Sequence, residues 1–142
     1  MEVEAISELI ETAIRNLFES QPDIFTLTAE SGQTEWNLCQ HLASEIHALL
    51  PDFAYDIDLK KPDAGDRRPD IVFHKRGTHE QNFLVVEVKR DNPSALAKEM
   101  RKIETYWFQI PYSYLFGSAI NINSDKTSQF IVRANPLFSA SK

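Results

Sequence analysis

The sequence predicts a mixed α/β domain, on three observations. Apolar residues recur with helical period over residues 3–19 and again over 33–50. Three strand-like runs then follow without a helical stripe between them, and a third helical stripe separates these from two further strands. The order α-α-β-β-β-α-β-β calls for a sheet with helices packed on it.

In the first helix the stripe is Ile6, Leu9, Ile10, Ala13, Ile14 and Leu17, the outer face is acidic, and Pro22 stands just past its end. The segment DIFTLTAES fits neither period. Leu38, Cys39, Leu42, Ala43, Ile46, Leu49 and Leu50 form the second stripe, which Pro51 closes. Runs at 54–60, 69–74 and 83–90, separated by segments carrying Pro62, Gly65 and Gly77, read as a β-meander. Leu96, Met100, Ile103 and Trp107 mark the third helix, and SYLFGSAINI and SQFIVRA read as strands around a turn at 123–126.

The 142 residues suit one domain, taken as 1–142, with residues 1–30 as an N-terminal helical extension and 31–133 as the core. With 42% hydrophobic against 25% charged residues, the chain can bury a core, which excludes a disordered or fibrous class. Neither a membrane span nor a secretory leader is expected, because no apolar run approaches the roughly 18 residues a span needs and the N-terminus is acidic. The single cysteine, Cys39, excludes an intrachain disulfide and a Cys-based zinc site, so a reducing, cytoplasmic setting is expected.

The net charge of −6 conceals a segregation. Residues 1–59 carry twelve acids and one base, Arg15, whereas residues 60–102 carry eleven bases and seven acids. The basic stretch can neutralise phosphates, so the acidic total does not exclude a nucleic-acid partner.

Four ionisable side chains stand where such residues are costly. In FLVVEVKR, period-2 alternation puts Val85, Glu87 and Lys89 on one face and Leu84, Val86 and Val88 on the other, so both faces read as buried. In PDIVFH, Asp70 follows Pro69 at the strand start and shares a face with Val72 and His74. If the two runs pair as a hairpin, Asp70 and Glu87 come side by side. Two adjoining carboxylates repel unless protonated or bridged, and a hard divalent cation such as Mg²⁺ resolves the conflict. On the second helix, the wheel places Glu35 near the middle of the apolar arc, pointing at the core; the alternative is an acid favoured at a helix N-terminus by the dipole.

These residues resemble the PD-(D/E)XK nuclease superfamily. Pro69-Asp70 matches the PD, Glu87-Val88-Lys89 the (D/E)XK, and Glu35 the acid carried on a helix by many members. The likeness is nearest to small stand-alone bacterial proteins with R-P-D-I-x-x-H-x-R-G followed by a V-x-E-V-K-type strand; Arg68 to His74, Arg76-Gly77 and Val85 to Lys89 reproduce that pattern. The resemblance implies a restriction-endonuclease-like α-β-β-β-α-β core over about residues 33–121, with an extra N-terminal helix and a C-terminal strand. It implies a metal-dependent nuclease, a hydrolase acting on DNA in preference to RNA. Asp70, Glu87 and the Val88 backbone carbonyl would hold Mg²⁺ or Mn²⁺, Glu35 would ligate through water, and Lys89 would serve catalysis. The same set, Glu35, Asp70, Glu87 and Lys89, would form the catalytic group.

Around it, His74 shares a face with Asp70 and reads either as a support for that carboxylate or as a structural histidine with its own partner, and Arg67, Arg68, Lys75, Arg76, Lys98, Arg101 and Lys102 are expected to contact phosphates. Trp107 falls on the apolar stripe and reads as core rather than as a base-stacking surface. The alternative function is a non-catalytic interaction module keeping the fold, with the acidic first helix docking a partner protein or a second copy, although an intramolecular core is the simpler use of its stripe.

Overall fold

The computed structural model describes residues 2–28, 34–58, 68–75 and 82–139. Helices α1 (Val3–Ser20), α2 (Ile24–Thr28) and α3 (Thr34–Leu49) precede strands β1 (Ala54–Ile57), β2 (Ile71–His74) and β3 (Leu84–Arg90). A 3-10 turn, Pro93–Ala95, leads into α4 (Leu96–Lys102), which continues as a π-helical turn over Ile103–Trp107. Strands β4 (Phe116–Ile122) and β5 (Ser128–Ala134) and the short α5 (Pro136–Ser139) complete the chain.

The five strands form one mixed sheet in the order β1-β2-β3-β4-β5. The expected meander is present: β1, β2 and β3 pair antiparallel in sequence. Because α4 carries the chain back across one face, β4 lies parallel to β3, and the turn after β4 then returns β5 antiparallel.

Each face of the sheet has its own core. Ile71, Phe73, Leu84, Val86, Val88, Ile120 and Ile122 meet Ile6, Ile10, Leu17, Leu38, Leu42 and Ile46 of α1 and α3. Val72, Val85 and Ala119 meet Leu96, Met100, Ile103, Trp107 and Phe108 on the other side. The alternation read along β3 is therefore the alternation between these two cores, and each fully buried aliphatic side chain contributes about 1.5–3 kcal/mol. The stripe of α1 is spent inside the molecule, leaving its acidic face outward.

Close packing of the α4 layer requires a glycine. A Cβ at Gly117 would stand 2.5 Å from Ile103 Cγ2 and 3.1 Å from Phe108 Cζ, so only hydrogen there lets the π-helical turn lie against β4. Two pieces went unread in the sequence. The stretch DIFTLTAES contains α2, too short to display a period. After β5, Asn135 Oδ1 accepts from Leu137 N–H at 3.1 Å with Pro136 at the first helical position, a cap-plus-proline start for α5. Among the described residues, no helix is long and apolar enough to cross a membrane.

Candidate active site

The site lies where β2 begins and β3 ends. Ile71 pairs with Val86 and Val72 with Val85, so one more step of the same register sets Asp70 opposite Glu87. The two carboxyl groups share a hydrogen bond. The other oxygen of interest, Asp70 Oδ2, accepts from Val88 N–H at 2.7 Å. That contact fixes more than the carboxylate. A strand residue sends its N–H and C=O to the same side, so the Val88 carbonyl is directed to the β2 side too.

Electrostatics follow from the crowding. Burial raises the Asp70 pKa above the usual carboxylate range, against the lowering effect of the Val88 and Glu87 hydrogen bonds, and the charge of Glu35 raises it further. Glu87, 5% exposed, is pushed up well beyond its ordinary value by burial first, then by Asp70, with Lys102 pulling the other way. Burial and mutual repulsion thus both favour the protonated form of Glu87.

Lys89 lies two residues past Glu87 on the same strand face, which the α4 layer covers. Its Nζ stands 3.5 Å from Glu99 Oε1. Lys102 Nζ donates to the other oxygen, Glu99 Oε2, at 3.0 Å. Burial works against the Lys102 charge, but the Glu99 hydrogen bond and the fields of Glu99, Glu87 and Asp70 outweigh it and raise its pKa. Glu99 is a site residue that the sequence reading missed, and it is only 3% exposed. The clue was present: Glu99 is three residues after Leu96 and four before Ile103, on the apolar stripe.

Glu35 corrects an expectation. It does not point at the core; it is exposed on the first turn of α3, while Thr34, Leu38 and Cys39 are buried. The helical wheel gives direction around the axis but not coverage along it, and at the first turn the helix end is open to solvent. Glu35 still belongs to the neighbourhood. Its charge acts on Asp70, and the Cys39 thiol, raised mainly by burial, also feels Asp70, Glu35, Glu87 and Asp58.

Of the two readings of His74, the structure favours the structural histidine. Its Nε2 is 2.7 Å from Asp56 Oδ2 on β1, and it stands four residues along β2 from Asp70, roughly 13 Å at strand rise. It serves the pairing of β1 with β2 rather than supporting Asp70. Lys75, one residue further, is exposed at that same far end. Arg68 is beside the site, 3.7 Å from Asp58, whose N–H donates to the Asp70 carbonyl at 2.9 Å. Lys98 and Arg101 are exposed on α4. Arg67 and Arg76 lie outside the described residues. Trp107 is core, 2% exposed and edge-on to Tyr112 at 5.3 Å. Among the described residues, no group of three or more His, Cys, Asp and Glu side chains is gathered closely enough to hold a metal ion by itself. Asp70 and Glu87 make a pair, with Glu35 at the rim.

No protein-family model matches the sequence, and no curated protein matches it. Among solved structures, the fold is similar to one described as "Crystal structure of SSO0001", with 17% identity, a TM-score of 0.47, and an alignment covering 96% of this chain and 68% of that one.

Proposed function

We propose that the protein is a metal-dependent nuclease of restriction-endonuclease-like fold, hydrolysing phosphodiester bonds in nucleic acid, with DNA favoured over RNA. The observation that carries this reading is the juxtaposition of Asp70 and Glu87 across β2 and β3, with Lys89 two residues on along the same face. The run of elements from α3 to β4, with an antiparallel meander followed by a helix and a parallel strand, supports the fold part of the reading.

The donor set fits a hard divalent cation, Mg²⁺ or Mn²⁺. Two carboxylates that must otherwise share a proton present oxygen ligands side by side, and the Val88 carbonyl faces the same edge. Asp70, Glu87 and that carbonyl would hold the ion, with Glu35 reaching it through water from the rim. A bound divalent ion supplies charge to polarise the scissile phosphate and lowers the pKa of a coordinated water. Lys89 places an ammonium on the face where the phosphate would lie, beside the metal pair rather than on it, from where it would orient the attacking water or offset charge developing on phosphorus. Lys98 and Arg101, exposed on α4, and Arg68 at the start of β2 offer phosphate contacts along the approach.

The test is cleavage of single-stranded, duplex and branched DNA and of RNA, with Mg²⁺ or Mn²⁺, by wild type and by Asp70→Ala, Glu87→Ala and Lys89→Ala. Cleavage by wild type, and a loss of about 10²-fold or more in each variant, is the expected result. Absence of cleavage in wild type, or equal rates in all four proteins, would favour the interaction-module alternative.

A further inference from the structure

Three carboxylates and two ammonium groups gather between β3 and α4, and they are not evenly shared. Both lysines go to one acid: Lys89 Nζ is 3.5 Å from Glu99 Oε1 and Lys102 Nζ 3.0 Å from Glu99 Oε2. Asp70 and Glu87 face each other across β2 and β3, and the lysines reach them through their charge alone. Had the lysines paired with Asp70 and Glu87 instead, an ammonium would occupy the position that a divalent cation needs.

Nothing in the reach of the lysines forbids that other arrangement. Lys89 is on the same strand face as Glu87, about 7 Å away at strand rise, a distance its four-carbon stem can close. The lysine side chains remain 32% and 46% exposed, so each has room to turn, whereas the Glu99 side chain is 4% exposed and fixed by packing. The approach of α4 is fixed as well. Asn121 Oδ1 accepts from Asn92 N–H at 2.8 Å, and Asp91 Oδ1 accepts from Ser124 N–H at 2.8 Å, pinning the turn between β3 and α4 to the end of β4.

We propose that Glu99 is a positioning residue that keeps the Asp70–Glu87 pair open to a divalent cation by holding Lys89 and Lys102 away from it. The proposal rests on the metal-dependent reading above and adds a role for a residue outside the PD-(D/E)XK pattern. It differs from simple attraction by a third negative charge. Under simple attraction the lysines oppose metal binding to the same degree whether or not Glu99 is present; under sequestration they oppose it more strongly when Glu99 is gone.

The experiment is a mutant cycle read by calorimetric titration of the full chain with Mg²⁺, with melting temperature as the check on folding. The proteins are wild type, E99Q, the K89M/K102M pair, and the three changes together. The expected pattern is about tenfold weaker binding in E99Q, affinity within about threefold of wild type for K89M/K102M, and recovery to within about threefold for the triple variant. Equal tightening by K89M/K102M in both backgrounds overturns the proposal. Should E99Q not fold, K89M/K102M alone decides: tightening beyond about threefold means that the lysines already compete with the metal, and a smaller change upholds sequestration. A wild type without Mg²⁺ affinity overturns the metal reading itself, and this inference with it, whereas an additive cycle in a metal-binding wild type overturns the inference alone.

Discussion

Replacing Asp70 by asparagine removes one charge while leaving the geometry its side chain supports. The amide oxygen can accept the Val88 N–H that Asp70 Oδ2 accepts at 2.7 Å, and the amide NH₂ can donate to Glu87, doing permanently what the shared proton does in wild type. Asp70→Asn should therefore stabilise the metal-free protein. The sign follows from linkage. A carboxyl group raised on folding holds its proton in the native state while the unfolded chain releases it near pH 4, so wild type loses stability as pH climbs from there to the raised value of Glu87. The variant escapes the part of this loss that Asp70 causes, while the part due to burial of Glu87 remains, and its advantage should be near zero at the acid end of that window and greatest above it. Relief of strain at a functional site is typically worth about 0.5–2 kcal/mol, or roughly 2–6 °C in Tm for a chain of this size. Mg²⁺ should reverse the order, since at a hundredfold excess over Kd it stabilises wild type by about 2.7 kcal/mol and the variant, short of a ligand, by little. Thermal melts across pH, in EDTA and in Mg²⁺, provide the measurement. An Asp70→Asn protein that melts below wild type in EDTA at alkaline pH would refute the reasoning, because it would make the Asp70 charge a stabilising part of the fold.

Three further outcomes follow from other parts of the molecule. Gly117→Ala should cost about 1–3 kcal/mol in denaturant unfolding, since its methyl would meet Ile103 in a closely packed layer. His74→Ala should cost about 1 kcal/mol by removing the 2.7 Å contact to Asp56, yet leave any Mg²⁺-induced rise in Tm unchanged, because His74 is remote from Asp70. Lys98→Gln and Arg101→Gln should each weaken DNA binding similarly for all sequences and reduce the slope of log K against log salt by about one, as phosphate contacts do.

Much of the fold was legible because strand alternation and turn residues report on the same geometry. Leu84, Val86 and Val88 against Val85, Glu87 and Lys89 gave the two faces of β3, and each face meets its own core. The unread parts have physical reasons. Five residues of α2 complete barely more than one turn, too little for a stripe. The π-helical turn at Ile103–Trp107 is set by how Ile103 and Phe108 lie on Gly117, a contact between residues far apart in sequence.

The site divides along the same line. Asp70 and Glu87 were legible as neighbours because hairpin register ties each residue of β2 to one of β3. Glu35 and Glu99 are both acids on apolar helical stripes, and the same rule that overstated the burial of Glu35 would have found Glu99 had it been applied to the third helix. What separates them is position along the axis. Glu99 is the fourth residue of α4, covered by the sheet, whereas Glu35 is the second residue of α3, at an open end. Burial changes what the carboxylate can do: an exposed acid finds water for its charge, but a buried one must be neutralised nearby, and Glu99 draws in both lysines for that reason. The demand of one hidden acid for cations thereby leaves Asp70 and Glu87, among the described residues, without a direct ammonium contact. If the pair binds a metal ion as proposed, its affinity is set as much by a helix residue outside the motif as by the motif itself.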